Sequence, residues 1–432
     1  MDPGLIAALG FVALFTLMVL RMPIGLAMGA VGIIGFGSIS GFGPALRLLA
    51  QSPIRTATDA GFAVIPMFLL MGAIATVSGM STELFRAANS FLGKYRGGLG
   101  MATIAACAGF AAVSGSSVAT AATFSAVAYP EMRRYNYPQS FATGVIAAGG
   151  TLGAILPPSL VLAVYSLITQ QDVGKLYMAG VVPGLLAIAM YLATITLIGL
   201  VRPNYLPIGI RHGWAERWQA VRSVWAITLL FLFVIGGIYG GVFTPTEAAA
   251  MGAGGAFIIA VVRGRLTPSQ FMDCLMRALR TSASIFSILI GALLFGYFLT
   301  VTQTPQHITA FLTGLGLGRY GVLVLIMLMY LVLGCVMDAM AMVILTIPII
   351  FPVITALGFD PIWFGVIIVM TVELGLIHPP VGMNVFVIKS VVRDVSMSTI
   401  FVGVIPFVIT DIIRLAILIA FPILSTYLPS HM

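Results

Sequence analysis

Long apolar runs separated by short polar segments form the dominant pattern of this chain. A transmembrane helix needs about 20 consecutive, mostly apolar residues, and ten runs meet that requirement. They cover residues 4–20, 23–42, 60–80, 139–169, 176–201, 222–242, 245–262, 281–302, 361–391 and 398–426. The pattern therefore predicts an all-α polytopic membrane protein with about ten transmembrane spans.

Two other apolar runs, 98–131 and 318–356, are too long for one span. Polar or small residues interrupt each of them near the middle, at 114–117 in the first and at 334–338 in the second. A non-helical turn at membrane depth is tolerated only where protein or a water-filled cavity surrounds it. We expect two re-entrant hairpins, each made of two half-helices that meet at a tip. The alternative is a pair of ordinary short spans in each run.

Sequence motifs recur in the two halves of the chain at a constant separation. LGAILPP at 152–158 returns as LGLIHPP at 374–380, which is 222 residues later, and Pro130 matches Pro352 at the same separation. Paired interrupted segments are typical of secondary transporters built from internal repeats. We predict two inverted repeats, 1–201 and 222–428, joined by a cytoplasmic linker at 202–221. Each repeat contains one hairpin and one broken span, the broken spans being 139–169 and 361–391.

Composition and charge agree with this architecture. The 432 residues are 60% hydrophobic and 8% charged, whereas soluble domains carry about 25% charged residues. The net charge of +8 is explained by basic cytoplasmic loops, and we expect no nucleic-acid partner. With the linker and the base of the first hairpin in the cytoplasm, both termini lie in the periplasm. Three widely separated cysteines indicate neither a disulfide framework nor a cysteine metal site.

The repeats also suggest that the chain forms two structural domains with different roles. We predict a transport domain made of roughly 60–169 and 281–391, which contains both hairpins and both broken spans. The scaffold would comprise roughly 1–58, 176–263 and 398–428. A purely structural scaffold is a weak alternative, because paired broken helices cost stability without a structural return.

The adjacent prolines indicate the chemistry of the broken spans. Proline lacks an amide hydrogen and clashes with the preceding turn, and a carbonyl group left without a donor in hydrocarbon is costly. A dehydrated sodium ion, bound by carbonyl and hydroxyl oxygens, would satisfy such carbonyls. We expect the helices to unwind at 149–153 and 371–375, each opposite a hairpin tip. The predicted sodium ligands are Ser114, Ser117, Gly150, Thr151 and Gly153 in the first half, and Gly334, Asp338, Thr371 and Gly375 in the second.

A substrate site is expected between the two ion sites. The helix that follows each break offers free amides and a positive dipole end to an anion, and we assign Ser116, Glu373 and Asn384 to a small carboxylate substrate. Simpler roles stay open for several residues, namely close packing for the tip serines, hydrogen bonding of a tip for Asp338 and Glu373, and a helix cap for Asn384. Glu247, which follows Thr244, is interpreted as part of a helix cap.

Three motifs carry a family resemblance over essentially the whole chain. GFAAVSGSSVATAATFSAVAYPEM, FTPTEAAAMG and ELGLIHPPVGMN resemble the large, DctM-like membrane subunit of TRAP transporters, the tripartite ATP-independent periplasmic systems. The resemblance implies an elevator-type secondary transporter of the ion-transporter superfamily, with sodium-coupled import of an organic acid anion. It also implies a periplasmic substrate-binding protein, a separate small four-helix membrane subunit and a place in the bacterial inner membrane. Sodium would be a coupling ion, and no cofactor or transition metal is expected.

The resemblance adds one site residue and leaves one functional rival. The residue before the second proline pair contributes to the family's second sodium site; here it is His378, where the family often has threonine. Either a neutral histidine satisfied by a neighbour or a pH-sensitive group fits this position. The rival function is a stand-alone divalent-anion/sodium symporter that needs no binding protein. An intramembrane hydrolase is disfavoured because the chain has no paired-aspartate or HExxH motif, so we expect no enzyme.

Overall fold

The computed structural model describes residues 3–209, 212–314, 316–335 and 337–432. Residues 210–211 of the predicted linker and residue 336 of the predicted second tip therefore lie outside the described residues. The helices of the first half are α1 (Pro3–Val19), α2 (Ile24–Ser40), α3 (Phe42–Thr58), α4 (Val64–Val77), α5 (Met80–Leu92), α6 (Gly98–Ser114), α7 (Ser117–Arg134), α8 (Gln139–Ile155), α9 (Leu160–Thr169) and α10 (Val173–Val201).

The second half repeats much of this order of helices. Its helices are α11 (Trp214–Ser223), α12 (Trp225–Tyr239), α13 (Pro245–Val262), α14 (Pro268–Val301), α15 (Thr304–Gly314), α16 (Gly318–Gly334), α17 (Ala339–Ala356), α18 (Pro361–Ile377), α19 (Met383–Val391), α20 (Met397–Ala420) and α21 (Ile423–Thr426). The helix pairs α6–α7 and α16–α17 occupy the two predicted hairpins. The pairs α8–α9 and α18–α19 occupy the two predicted broken spans.

The lengths of the helices confirm a polytopic membrane protein. Among the described residues, seven helices are long and apolar enough to cross a membrane, or eight if α11 and α12, which are bent by 48°, form one span. Five shorter apolar helices accompany them, namely α1, α2, α6, α16 and α18. The expected total of about ten spans stays a prediction.

The third span of the second half is longer than predicted. We expected a span at 281–302, but α14 runs without interruption over 34 residues. Thr267 and Gln270 form a capping box at its start, and no proline occurs between Pro268 and Pro305. Because nothing interrupts the backbone hydrogen bonds in between, the amphipathic beginning and the apolar end form one helix.

The packing divides the helices into two groups, which we call the frame group and the tip group. In the frame group (α1–α4 and α12–α14), α2 packs along α14 and α4 packs along α13. In the tip group (α5–α10 and α15–α21), α8 packs against α6, α7 and α20, and α18 packs against α16, α10 and α20. This division differs from the predicted domains, which assigned the third spans to the transport domain and the last spans to the scaffold.

Candidate ion and substrate site

Several hydrogen bonds stabilise the first hairpin tip around Gly115. Gly115 has a left-handed φ of +60°. Ser116 caps α7, because its hydroxyl accepts a hydrogen bond from the Ala119 amide at 3.3 Å. The Ser114 and Thr120 hydroxyls lie 2.9 Å apart. The Gly115 carbonyl accepts a hydrogen bond of 3.2 Å from the Leu160 amide at the start of α9. The tip is thus fastened to the chain just beyond the first break.

Two glycines allow α8 to approach this tip closely. A Cβ atom added at Gly153 would lie 2.6 Å from the Ser116 carbonyl oxygen and 2.9 Å from the Ser117 nitrogen. One added at Gly150 would lie 3.3 Å from the Ser117 carbonyl oxygen. No side chain fits between the two elements, so the backbone of the tip lies directly against α8.

The position of the break differs from the expectation. We expected unwinding at 149–153 and 371–375, and this prediction is wrong, since α8 stays helical to Ile155 and α18 to Ile377. The chain departs from helix at 156–159 and 378–382. A proline withholds one amide from a carbonyl four residues earlier, but the preceding turn keeps its helical dihedrals. Residues 149–153 are buried against protein, so the helix there is not packed against lipid.

The carbonyls before the two proline pairs have different partners. Pro157 and Pro158 cannot donate to the Gly153 and Ala154 carbonyls, and the Ser159 hydroxyl donates to Ala154 instead. In the second half Val381 occupies the position equivalent to Ser159 and has no hydroxyl. There the His378 amide donates to the Gly375 carbonyl at 3.3 Å. Both proline pairs contain a cis peptide bond.

The second tip lies against α18 in a similar way. A Cβ atom added at Gly334 would lie 2.8 Å from the Gly375 Cα, so the two backbones touch. Asp338 caps α17 by accepting a hydrogen bond of 2.7 Å from the Ala341 amide, which fits the alternative that its carboxylate stabilises the tip. The Thr371 hydroxyl donates to the Ile367 carbonyl of its own helix at 2.8 Å. His378 is only partly buried, and its Nδ1 lies 2.6 Å from the Pro379 carbonyl oxygen, so a neighbour satisfies it.

A buried polar contact joins the first tip to α18 of the second half. The Ser117 hydroxyl donates a hydrogen bond of 3.1 Å to Oε1 of Glu373, whose side chain is 2% exposed. Within the described residues, Glu373 Oε2 and both side-chain amide atoms of Asn384 are buried without a hydrogen-bond partner. Buried polar atoms are normally satisfied, so each of these three atoms has unmet hydrogen-bonding capacity. Asn384 lies in α19, which packs against α7.

Thr151 does not join the other predicted ligands. Its hydroxyl lies 3.1 Å from the hydroxyl of Tyr191 in α10. Tyr191 in turn donates to the Asp411 carboxylate at 2.7 Å, and Asp411 pairs with Arg414 at 2.8 Å. Sequence reasoning missed this cluster, although two opposite charges three residues apart in the apolar run 398–426 were an available signal.

Other predicted features have simpler outcomes. Glu247 accepts a hydrogen bond of 2.8 Å from the Thr244 amide, and its own amide donates to the Thr244 hydroxyl at 3.3 Å, which confirms the helix cap.

No group of three His, Cys, Asp or Glu side chains that could hold a metal ion occurs in the described part of the chain. A cavity of about 400 Å³ between the frame and tip groups includes Arg55, Leu293 and Ile344 in its lining.

Comparison with known proteins gives a consistent assignment. Residues 11–424 match the family model for the tripartite ATP-independent periplasmic transporter, DctM component. The C4-dicarboxylate TRAP transporter large permease protein DctM of Pseudomonas aeruginosa is 37% identical over 405 residues, covering 93% of this chain and 92% of the relative. The isethionate TRAP transporter permease protein DctMQ of Oleidesulfovibrio alaskensis is 32% identical over 98% of this chain and 64% of its own length.

A solved structure supports the fold. The crystal structure of the Alcanivorax borkumensis YdaH transporter superposes with a TM-score of 0.51 and 15% identity, covering 88% of this chain and 90% of that one. The sequence relatives are transporter permease subunits and not enzymes, which confirms that expectation. The family match over residues 11–424 and the extent of identity to the permeases show that this chain belongs to the DctM family of TRAP transporter large permeases.

Proposed function

We propose that this chain is the large permease subunit of a sodium-coupled importer of a small organic acid anion. The family and the apolar helices indicate a multi-pass inner-membrane protein. Two relatives are named for C4-dicarboxylate and for isethionate transport, so the proposed substrate class is a small anion. A periplasmic substrate-binding protein would deliver the substrate, and a small four-helix membrane subunit would accompany the chain.

The observation that carries the proposal is the contact of Ser117 at the first tip with Glu373 in α18. Glu373 is a buried carboxylate with one hydrogen-bond donor and an unpartnered Oε2. A buried carboxylate without a cationic partner is costly, and a bound sodium ion would lower that cost. Hydroxyl and carbonyl oxygens of the tips supply further ligands of the type that sodium takes.

The two tips offer one ion site each. The first would use the serine hydroxyls at 114 and 117 together with α8 oxygens near Gly150 and Gly153. The second would use the Gly334 and Gly375 carbonyls, with Asp338 acting on the tip through its cap. Asn384 and Ser116 would contact the substrate carboxylate between the ions, since both lie next to helix N-termini. In this arrangement Thr151 is not a direct ligand.

The two packing groups support an elevator movement of inverted repeats. The first half contributes α1–α4 and the second half α12–α14 to the frame group, and each half contributes its predicted hairpin, its broken span and its last long helix to the tip group. We place the scaffold in the frame group and the transport domain in the tip group, which revises the sequence prediction. Two or more sodium ions per anion would drive accumulation, because moving one charge through 100 mV is worth about 2.3 kcal/mol.

The test is transport by the chain in liposomes together with its small subunit and cognate binding protein. Loaded binding protein and an inward sodium gradient should give substrate uptake, and replacing sodium by choline should abolish it. Ser117→Ala should reduce uptake, whereas Thr244→Ala should not. Uptake that persists in choline would contradict sodium coupling. Uptake of free substrate without the binding protein would establish the stand-alone symporter instead.

A further inference from the structure

We propose that Tyr191, Asp411 and Arg414 form a positioning cluster that holds α8 against the first tip. Sodium affinity at the tip would then depend on a contact on the opposite side of α8. This inference rests on the proposed function, because it concerns the same ion site. It assigns a role to three residues from two helices that contribute no ligand themselves.

The geometry places the cluster directly behind the ion site. Gly150 and Gly153 of α8 lie against the tip backbone. The hydroxyl of the intervening Thr151 lies 2.7 Å from the Ala148 carbonyl of its own helix and 3.1 Å from the Tyr191 hydroxyl of α10. The Tyr191 hydroxyl donates to both carboxylate oxygens of Asp411, at 2.7 and 2.8 Å. The rotation of α8 about its axis therefore fixes both contacts at once.

The energetics make a purely structural role a poor explanation. Tyr191, Asp411 and Arg414 are at most 3% exposed, and burying an ion pair usually gives little net stability compared with an apolar substitute. Arg414 keeps its Nε and Nη1 without a partner among the described residues. Ionisable groups within membrane spans usually serve function. A directional hydrogen bond donated to a fixed carboxylate, unlike apolar packing, sets the orientation of the donor.

The experiment compares two tyrosine variants of the same helix. Tyr191→Phe removes the hydroxyl that links Asp411 to Thr151. Tyr177→Phe is the matched control, because the Tyr177 hydroxyl in α10 is equally buried and has no partner in the described chain. Thermal unfolding of the purified full-length chain is measured against sodium concentration, with potassium keeping the ionic strength constant.

The expected result separates affinity from overall stability. Tyr191→Phe should raise the sodium concentration for half-maximal stabilisation roughly tenfold, as for the loss of one hydrogen bond to a charged group. The maximal stabilisation should stay near that of the wild type, and Tyr177→Phe should keep the wild-type sodium dependence. Equal sodium dependence of both variants would overturn the positioning role.

A second variant keeps the proposal testable if Tyr191→Phe fails to fold. Thr151→Val removes the hydroxyl that contacts Tyr191 and leaves the Tyr191–Asp411–Arg414 contacts intact. Its control is Thr194→Val, which removes a hydrogen bond of 2.6 Å between α10 and α20. A sodium defect in Thr151→Val alone, with Tyr191→Phe folded and normal, would indicate a ligand role for Thr151 and overturn the inference. If the wild type shows no sodium-specific stabilisation, the proposed function itself fails.

We infer, from a separate observation, that α11 lies in the headgroup layer and binds anionic lipid. Three of the four tryptophans of the chain are Trp214, Trp218 and Trp225, and they are 79%, 60% and 50% exposed. Trp214 and Trp218, four residues apart, lie on one face of α11, and Trp225 is the first residue of α12. Helix α11 directly precedes the apolar α12, and the chain bends by 48° between them. The axis of α11 therefore does not continue that of α12 across the membrane.

The chemistry of this face fits an anionic membrane surface. Tryptophan is enriched at membrane–water interfaces, and basic amphipathic helices bind anionic lipids. Arg217 stacks over the Trp214 ring at 5.2 Å and Arg222 over the Trp218 ring at 5.4 Å, so cationic groups accompany the aromatic rings. Arg217 also donates to the Ser90 carbonyl of α5 at 3.1 Å, which fastens α11 to the protein and leaves the tryptophan face outward.

Tryptophan fluorescence in reconstituted vesicles tests this second proposal. Spin-labelled phosphatidylglycerol should quench the wild type more than spin-labelled phosphatidylcholine does, and Arg222→Gln should remove most of that difference. A variant with phenylalanine at all three positions should show little quenching, because the remaining Trp363 is 2% exposed. Equal quenching of the wild type and the triple variant would overturn the proposal. Loss of quenching when the small subunit is co-purified would overturn it too, by showing that protein covers the face.

Discussion

Ser117 of α7 and Glu373 of α18 form a hydrogen bond of 3.1 Å that joins the two halves of the chain at a buried position. A hydrogen bond to a charged group contributes about 1.5–3 kcal/mol, and Glu373 has no other donor among the described residues. Ser117→Ala should therefore weaken sodium-dependent uptake by about tenfold or more. Ser117→Thr keeps the hydroxyl and should retain more uptake than alanine, and equal loss in both variants would contradict this account.

Gly153→Ala tests the direct contact between α8 and the first tip. The added methyl group would lie 2.6 Å from the Ser116 carbonyl oxygen, so the tip must move, at a cost of about 1–3 kcal/mol. We expect a lower melting temperature and strongly reduced sodium stabilisation. Gly254→Ala is the control, since nothing lies within 4 Å of a Cβ at that position. A Gly153→Ala protein with the control's behaviour would show that the contact is not tight.

Asn384→Ala separates a binding role from a structural one. Neither side-chain amide atom of Asn384 has a partner among the described residues, so truncation breaks no protein hydrogen bond and removes the cost of burying two unsatisfied groups. We expect thermal stability equal to or above that of the wild type, together with a large loss of uptake. Normal uptake by a stable Asn384→Ala protein would remove Asn384 from the substrate site.

Thr244→Ala tests the cap at the start of α13. Loss of the N-cap hydroxyl, which accepts from the Glu247 amide, should lower the free energy of unfolding by about 1 kcal/mol. The sodium dependence of uptake should not change, because the cap lies in the frame group. Denaturation of the purified chain measures the first effect and uptake in liposomes measures the second. A shifted sodium dependence would assign the cap a role that its hydrogen bonds do not explain.

The sequence predicted the features that depend on local chemistry. Adjacent prolines interrupt a helix wherever they occur, so the interruptions of both predicted broken spans were found. The pairs α6–α7 and α16–α17 are interrupted at the predicted tips, and their re-entrant course stays a prediction. The exact place of the break was missed at 149–153, because loss of an amide donor frees a carbonyl upstream without unwinding the intervening turn.

Features that depend on tertiary packing could not be predicted in this way. Each residue of a helix faces one neighbouring element. The sequence alone does not indicate that Thr151 faces Tyr191 while Gly150 and Gly153 face the tip. The same limit applies to the packing of α10 and α20, which the sequence prediction places in the scaffold. Their contacts with α8 and α18 join elements that are distant along the chain.

Each tip meets the broken span of its own half through main-chain atoms, at Gly153 against Ser116 and Ser117 and at Gly334 against Gly375. Peptide groups are chemically alike in every protein, so a junction of this kind carries no information about which solute is bound. The relatives of this chain include permeases named for C4-dicarboxylate and for isethionate. Selection among solutes then has to come from the few side chains near the tips, or from a protein that binds the solute before this subunit does.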